Sequence, residues 1–210
     1  MNEETISRKE RDKQIREDDF LNAAESLFAE RGYYETAMED VAAKAEYATG
    51  TVYRYFESKE ALYHRLLLRK GKAFFDAMES ALNEAPTALE KLETLIRRKT
   101  NFFYTNKEFV RIYLYEASRP SSGSRYQPPK ELAQRHGEYL ESIRNIFRLG
   151  MGEGVFRDLD VNMTLPALMG LDQEIMTLTL EDDFEQTEDE VVGFIMNFLR
   201  GGLIKESANA

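Results

Sequence analysis

The sequence predicts an all-α chain of about nine helices, and three observations carry that reading. Apolar residues recur three and four apart along nearly the whole length. No stretch alternates apolar with polar in the manner of a half-buried strand, and no internal repeat is present. Thr-x-x-Glu spacings at Thr36/Glu39, Thr87/Glu90 and Thr187/Glu190 mark helix starts, because hydroxyl and carboxylate can satisfy each other's backbone N–H groups.

Residues 1–12 are polar and read as a loose arm, although their alternating charges suit a solvated helix equally. From Lys13 to Arg31 the positions Ile15, Phe20, Ala23, Ala24, Leu27 and Phe28 keep helical spacing, and Gly32 stops the helix. Tyr33 and Tyr34 fall in the following loop. Behind the expected Thr36/Glu39 cap, Met38, Val41, Ala42 and Ala45 define a short second helix. Glu46-Tyr47-Ala48 breaks the pattern, and Thr49-Gly50-Thr51 opens a third segment containing Val52, Tyr53, Tyr55 and Phe56. Ser58 suits the N-cap of a long helix through Leu62, Leu66, Leu67, Phe74, Phe75, Met78 and Leu82.

Pro86 interrupts, and Thr87 caps a helix through Leu92, Leu95, Ile96, Phe102 and Phe103. Asn106 introduces Phe109 to Tyr115, and Arg119 to Pro129 is a loop by composition. Lys130 to about Met151 is helical again and ends at Gly150, Gly152 and Gly154. Those glycines are no phosphate loop, since no strand precedes them and no Gly-Lys-Ser/Thr follows. Asp160 can cap a helix from Val161 to Leu180, in which Pro166 and Gly170 suggest a bend or a close helix contact. Thr187 caps the last helix, through Val191, Val192, Phe194, Ile195, Phe198 and Leu199.

Helix, brief turn and aromatic second helix make a helix-turn-helix, whose second helix enters the DNA major groove. Gly50 allows close approach of a phosphate or base edge, and Thr49 and Thr51 can bond to bases or touch a thymine methyl. Tyr53, Arg54, Tyr55 and Lys59 carry phosphate donors. With Thr36 and Ala48 they form the expected DNA-binding set. Val52 and Phe56 read as core. Tyr53 and Tyr55 lie about 200° apart on the helix, so they cannot both face that core.

The spacing Gly32, Thr36, Val41-Ala42, Ala45 and Gly50-Thr51-Val52-Tyr53-x-Tyr55-Phe56-x-Ser58-Lys59-Glu60-x-Leu62, with Ala23-Ala24-x-x-Leu27-Phe28 ahead of it, resembles the TetR/AcrR family of transcriptional regulators. Ala37 stands where a second hydroxyl residue is common in that family, Glu46 replaces a frequent turn glycine, and Ala48 replaces a capping serine. The resemblance implies an arm (1–12), a helix-turn-helix domain (13–60) and an effector-binding and dimerisation body (61–205). It implies a homodimer through the last two helices (161–180 and 188–204), with broad apolar faces at Leu165, Leu168, Met169, Ile175, Met176 and Leu178 and from Val191 to Leu203. It also implies a small-molecule effector pocket among the aromatic middle helices, for which Phe75, Phe103, Tyr104, Arg111, Tyr113, His136 and Tyr139 are the candidate lining residues. The function implied is a repressor of a palindromic double-stranded DNA operator. A small, largely apolar effector would release it by shifting the long helix that joins head to body.

Composition limits the alternatives. Net charge is −10, and residues 1–70 carry 12 Lys and Arg against 15 Asp and Glu, so DNA binding would rest on placement rather than on overall charge. Arg8, Lys9, Arg11, Lys13 and Arg16 form one basic cluster. There is no cysteine, which fits a reducing cytoplasm, and no apolar run of the ~18 residues a membrane span requires. His64 and His136 lie far apart with no metal-ligand spacing, so neither an enzyme, a metal nor a cofactor is expected. A helical adaptor without DNA binding and an activator are the remaining readings.

Overall fold

The computed structural model describes residues 7–117, 129–180 and 184–205, and these residues form nine α-helices and no strand. The first, α1 (Arg8–Arg31), starts from a reciprocal cap: the Ser7 hydroxyl accepts from the Glu10 N–H (3.2 Å) and the Glu10 carboxylate from the Ser7 N–H (3.0 Å). Bonding to the Ser7 side chain and backbone holds the Glu10 carboxyl below its ordinary range. Residues 8–12, expected to be a loose arm, are thus the first turns of α1; residues 1–6 lie outside the described residues. Gly32 ends the helix at φ 85°, a backbone conformation that favours glycine, with its N–H on the Phe28 carbonyl (3.0 Å).

After α1 come α2 (Met38–Lys44), α3 (Thr49–Tyr55), α4 (Lys59–Glu84), α5 (Ala88–Thr105), α6 (Lys107–Ala117), α7 (Lys130–Gly152), α8 (Val161–Leu178) and α9 (Glu188–Leu203). The capping boxes at Thr87/Glu90 and Thr187/Glu190 form as expected, and Ser58 and Asp160 accept from the Ala61 and Asn162 N–H groups. The expected loop over residues 119–128 lies outside the described residues.

The described residues divide into two compact units, one of residues up to Lys70 with α6 from Arg111, the other of Gly71–Val110 with everything from α7 onward. Phe20, Ala24, Val41, Val52, Leu62 and Leu66 are fully buried in the first unit. Ile143 and Phe147 are fully buried in the second, with Met78, Leu92 and Ile195 nearly so. Full burial of a side chain the size of leucine or phenylalanine contributes roughly 1.5–3 kcal/mol, so each unit has a core of its own.

Gly150 is needed for packing. A Cβ there would fall 2.2 Å from the Phe156 ring, which covers the end of α7. Phe156 in turn makes an isolated antiparallel bridge to Ile204, flanked by Arg157 N–H to Leu203 O (2.8 Å) and Lys205 N–H to Val155 O (3.0 Å). Gly170 is exposed with open space around its Cα, so no close helix contact forms there within the chain. Among the described residues no helix is long and apolar enough to cross a membrane, and no group of His, Cys, Asp or Glu could hold a metal.

Candidate nucleic-acid interface and effector site

The geometry of α3 is set by the segments on either side of it. Thr36, expected to cap α2 and to contact DNA, does not cap it, and its side chain is turned inward. It is 1% exposed, and its hydroxyl donates to the carbonyls of Gly32 (2.9 Å) and Leu27 (3.4 Å), which pins the loop to the end of α1. The cap of α2 lies one residue later, where the Asp40 carboxylate accepts from the Ala37 N–H (3.1 Å) and alanine supplies no reciprocal hydroxyl. Glu39 is therefore not the capping acid.

Between α2 and α3 the chain reverses through a Schellman turn. Tyr47 N–H bonds to Ala42 O (2.9 Å) and Glu46 N–H to Ala43 O (3.1 Å), with Glu46 at φ 62°. This is the position where glycine is usual, and a side chain there stores about 1 kcal/mol of backbone strain. Tyr47 holds the turn against α1: its hydroxyl donates to Asp19 (2.9 Å) and its ring lies 5.0 Å from Phe20. Asp19 accepting that proton pushes the phenol's pKa up.

Fixed in this way, α3 has one inward side and one outward side. Val52 is fully buried, and Phe56, its C-cap, is 5% exposed. Gly50, Tyr53 and Arg54 are exposed, with Thr49 and Thr51 half-buried at the edge; Ala48 is the exposed N-cap and makes no side-chain bond. The two tyrosines separate as their spacing requires. Tyr53 is 46% exposed, whereas Tyr55 leans inward with its ring 5.4 Å from Phe20. The Arg54 guanidinium donates to the Thr51 hydroxyl (3.4 Å).

Lys59 differs from expectation. Its ammonium donates to the carbonyls of Tyr33 (2.7 Å), Tyr34 (3.2 Å) and Thr36 (2.8 Å) and sits 4.5 Å over the Tyr33 ring. All three protons are used inside the protein, so Lys59 clamps the α1–α2 loop instead of offering a phosphate donor. Desolvation lowers its pKa, against the opposing pull of Glu35. With Lys59 withdrawn, α3 itself offers one cation, Arg54, beside a shallow cleft rimmed by Glu35, Glu39 and Glu57.

Of the expected effector residues, Phe75, Phe103 and Tyr139 gather around the ring of Phe74 in the second unit, with His136 beside Phe75, whereas Arg111 and Tyr113 belong to the first. Arg111 and Tyr113 are exposed on the part of α6 that belongs with the helix-turn-helix, the latter at 53%. Tyr139 is 7% exposed and belongs to the core of the second unit, 5.7 Å from Phe74. Phe75 packs on Tyr139 (6.1 Å) and His136 (6.5 Å). His136 reaches solvent, yet desolvation and then the charge of Lys99 push its pKa below the usual 6.5. Phe103 and Tyr104 line a cavity of about 10 Å³ together with Thr100, Ile175, Met176 and Ile195. The Tyr104 hydroxyl donates to Gln186 O (2.8 Å). Burial, with Glu188 and Glu190 adding to it, raises the Tyr104 pKa.

At the same cavity is a pair the sequence reading missed. Lys99 Nζ lies 2.8 Å from Asp172 and 5.8 Å over the Phe103 ring, and both residues are buried, at 9% and 5% exposure. A sequence signal did exist. Lys99 follows Leu92, Leu95 and Ile96, and Asp172 follows Leu165 and Leu168, at the spacing of each helix's buried stripe. The cavity has room for a single water, and a ligand of drug size would have to displace side chains.

Comparison with known proteins places these features. Residues 20–66 match the family described as bacterial regulatory proteins, tetR family, and residues 85–177 match the tetracyclin repressor-like C-terminal domain. The transcriptional repressor KstR2 of Mycolicibacterium smegmatis is 30% identical over 149 residues, covering 70% of this chain and 71% of the relative. The structure of the ketosteroid regulator KstR2 of Mycobacterium tuberculosis superposes with a TM-score of 0.77 at 26% identity, covering 91% of this chain and 96% of that one. The fold also matches FadR of Bacillus subtilis in complex with stearoyl-CoA, with a TM-score of 0.72 at 24% identity, covering 88% and 97% of the two chains. The chain belongs to the TetR family of bacterial transcriptional regulators.

Proposed function

We propose that this chain is a cytoplasmic repressor that binds a palindromic operator as a homodimer and leaves it when a small, largely apolar effector enters the second unit. The observation that carries the DNA reading is the two-sided α3. Val52 and Phe56 fix it from within, while Gly50, Tyr53 and Arg54 face solvent with Thr49 and Thr51 at the edge. A helix with no outward role has no need of an exposed glycine and an exposed tyrosine in its short length. Tyr53 and Arg54 fix position on phosphates, and the two threonines read bases.

Dimerisation is assigned to α8 and α9, on a narrower stripe than expected. Leu165, Leu168 and Met176 of α8 and Val191, Val192, Ile195, Met196, Leu199 and Leu203 of α9 are consumed by the chain's own core. Met163 (69% exposed), Leu178, Phe194 and Phe198 (62%) remain outside, beside exposed Gly170, Gly193, Gly201 and Gly202 that let a partner backbone approach. Two phenylalanines one helical turn apart are a large apolar area to leave in water. The effector reading rests on the cavity at Lys99 and Asp172, and on α4, one continuous helix from Lys59 to Glu84 that serves both units. A tenfold loss of operator affinity requires an effector preference of only ~1.4 kcal/mol for the non-binding state.

Selection from a random-sequence DNA pool tests the proposal, and an inverted repeat is the expected recovery. Tyr53→Ala weakens binding to every duplex, whereas changes at Thr49 or Thr51 alter base preference by about 1–3 kcal/mol per contact. Recovery of no common sequence, or equal losses on all duplexes from all three changes, would sink the reading. Mapping the recovered site against a promoter then separates repression from activation.

A further inference from the structure

With Lys59 committed to the loop, α3 brings a single cation to a duplex. A protein of net charge −10 needs more than that to hold a polyanion. The first nine residues of α1, Arg8 to Arg16, are all exposed. Short helices without tertiary contacts are marginal in water, so a reciprocal Ser7/Glu10 cap on this stretch maintains a helix that the core does not require.

The charges of α1 are sorted by side. Asp18 and Glu25 lie on the face toward α4, where they meet Arg69 (3.0 Å) and Lys70 (2.7 Å), and Glu17 meets Arg65 (2.7 Å). The opposite face carries Phe20, whose ring packs on Tyr47 of the α2–α3 turn and on Tyr55 of α3. Arg16 precedes Phe20 by four residues, Lys13 precedes it by seven, and Lys9 precedes Arg16 by seven. Positions seven apart drift by only ~20°, so the three cations share the side of α1 that faces the turn and α3. Arg16 is near enough to Tyr47 to act on its ionisation. Asp12 and Glu10 flank the stripe on either side, Glu10 being bonded to Ser7 with Lys13 near enough to act on it, and none of the three cations makes an ion pair of 4 Å or less among the described residues.

We infer that Lys9, Lys13 and Arg16 form a second phosphate-contacting surface, which lies along the DNA backbone beside the half-site that α3 reads. Glu17, Asp18 and Glu25 are paired with α4, and the basic stripe continues outward from the turn that leads into α3. This rests on the reading of α3 as the DNA-entering helix. The stripe supplies affinity and register without sequence information.

The test uses the full chain and the duplex that the wild type recovers from a random-sequence pool. Affinity is measured by fluorescence anisotropy between about 50 and 200 mM salt. Changing Lys9, Lys13 and Arg16 together to Gln is expected to flatten the slope of log affinity against log salt by about 2–3 per protomer. The recovered sequence stays the same. Arg8→Gln with Arg11→Gln, on other sides of α1, leaves the slope near wild type. Lys9→Arg with Lys13→Arg and Arg16→Lys binds like wild type, and circular dichroism reports the helix in each variant. An unchanged slope in the triple Gln variant, or an equal flattening in the Arg8/Arg11 variant, overturns the inference while leaving α3 as the reading helix. A wild type that recovers no sequence removes both.

Discussion

The two units use polar side chains in opposite ways. Around α3, buried or half-buried polar groups grip backbone: Thr36 holds the carbonyls of Leu27 and of Gly32 at the end of α1, Lys59 holds three of the loop, and Asp40 holds the N–H of Ala37, the cap of α2. In the second unit the corresponding buried pair, Lys99 and Asp172, bridges two helices side chain to side chain beside a cavity. A side chain tied to backbone has little alternative, which suits a surface that must present α3 in one pose. An ion pair between helices can exchange one partner for a ligand group, which suits the effector response proposed for this unit. The difference separates rigidity from readiness to repack.

Breaking the interhelical pair gives the largest expected effect. Lys99→Met leaves Asp172 charged and buried, and urea denaturation should show a loss of about 3 kcal/mol. Adding Asp172→Leu should restore most of it, since an apolar pair of similar volume bears no desolvation cost. A single-variant loss below about 1 kcal/mol would mean that water already solvates the pair. Lys59→Met comes next, at about 2 kcal/mol, because three carbonyls lose a charged donor. Were Lys59 a phosphate contact instead, stability would hold and only the salt slope of DNA binding would change.

Glu46→Gly should raise stability by roughly 0.5 kcal/mol, the relief of the left-handed turn less the entropy glycine adds to the unfolded chain. A lower thermal midpoint would show that the Glu46 side chain does more than fill the turn. The smallest effect concerns pH. His136 has a pKa below 6.5 when folded, so the unfolded chain takes up its proton first as pH falls. Stability is full above about pH 6.5 and declines below it, and His136→Gln should flatten that decline.

These contrasts also mark what could be read from sequence. The boxes at Thr87 and Thr187 were legible because both partners lie within one turn and nothing distant competes for the hydroxyl. Thr36 and Glu39 carry the same spacing, yet the Thr36 hydroxyl is taken by carbonyls four and nine residues back, a choice that only tertiary packing makes. Lys59 was misassigned for the same reason, since its acceptors lie more than twenty residues away. That Tyr53 and Tyr55 could not share one face followed from helical geometry, but which of them turns inward did not: Tyr55, expected among the phosphate donors, leans on Phe20 because that ring lies on α1, far away in sequence. The Lys99–Asp172 pair joins positions 73 residues apart, and only its misplaced charge on two apolar stripes hinted at it.

The short bridge between Phe156 and Ile204 has a practical consequence for anyone building on this protein. It fastens the last turn of α9 to the α7–α8 connection, while Thr187 fastens the first, so the rod bearing Phe194 and Phe198 is secured at both ends. A tag or fused domain appended beyond Lys205 would leave that anchorage intact. Trimming back to Leu203 would release one end of the rod, and with it the fixed pitch of the two exposed rings that the proposed dimer would use.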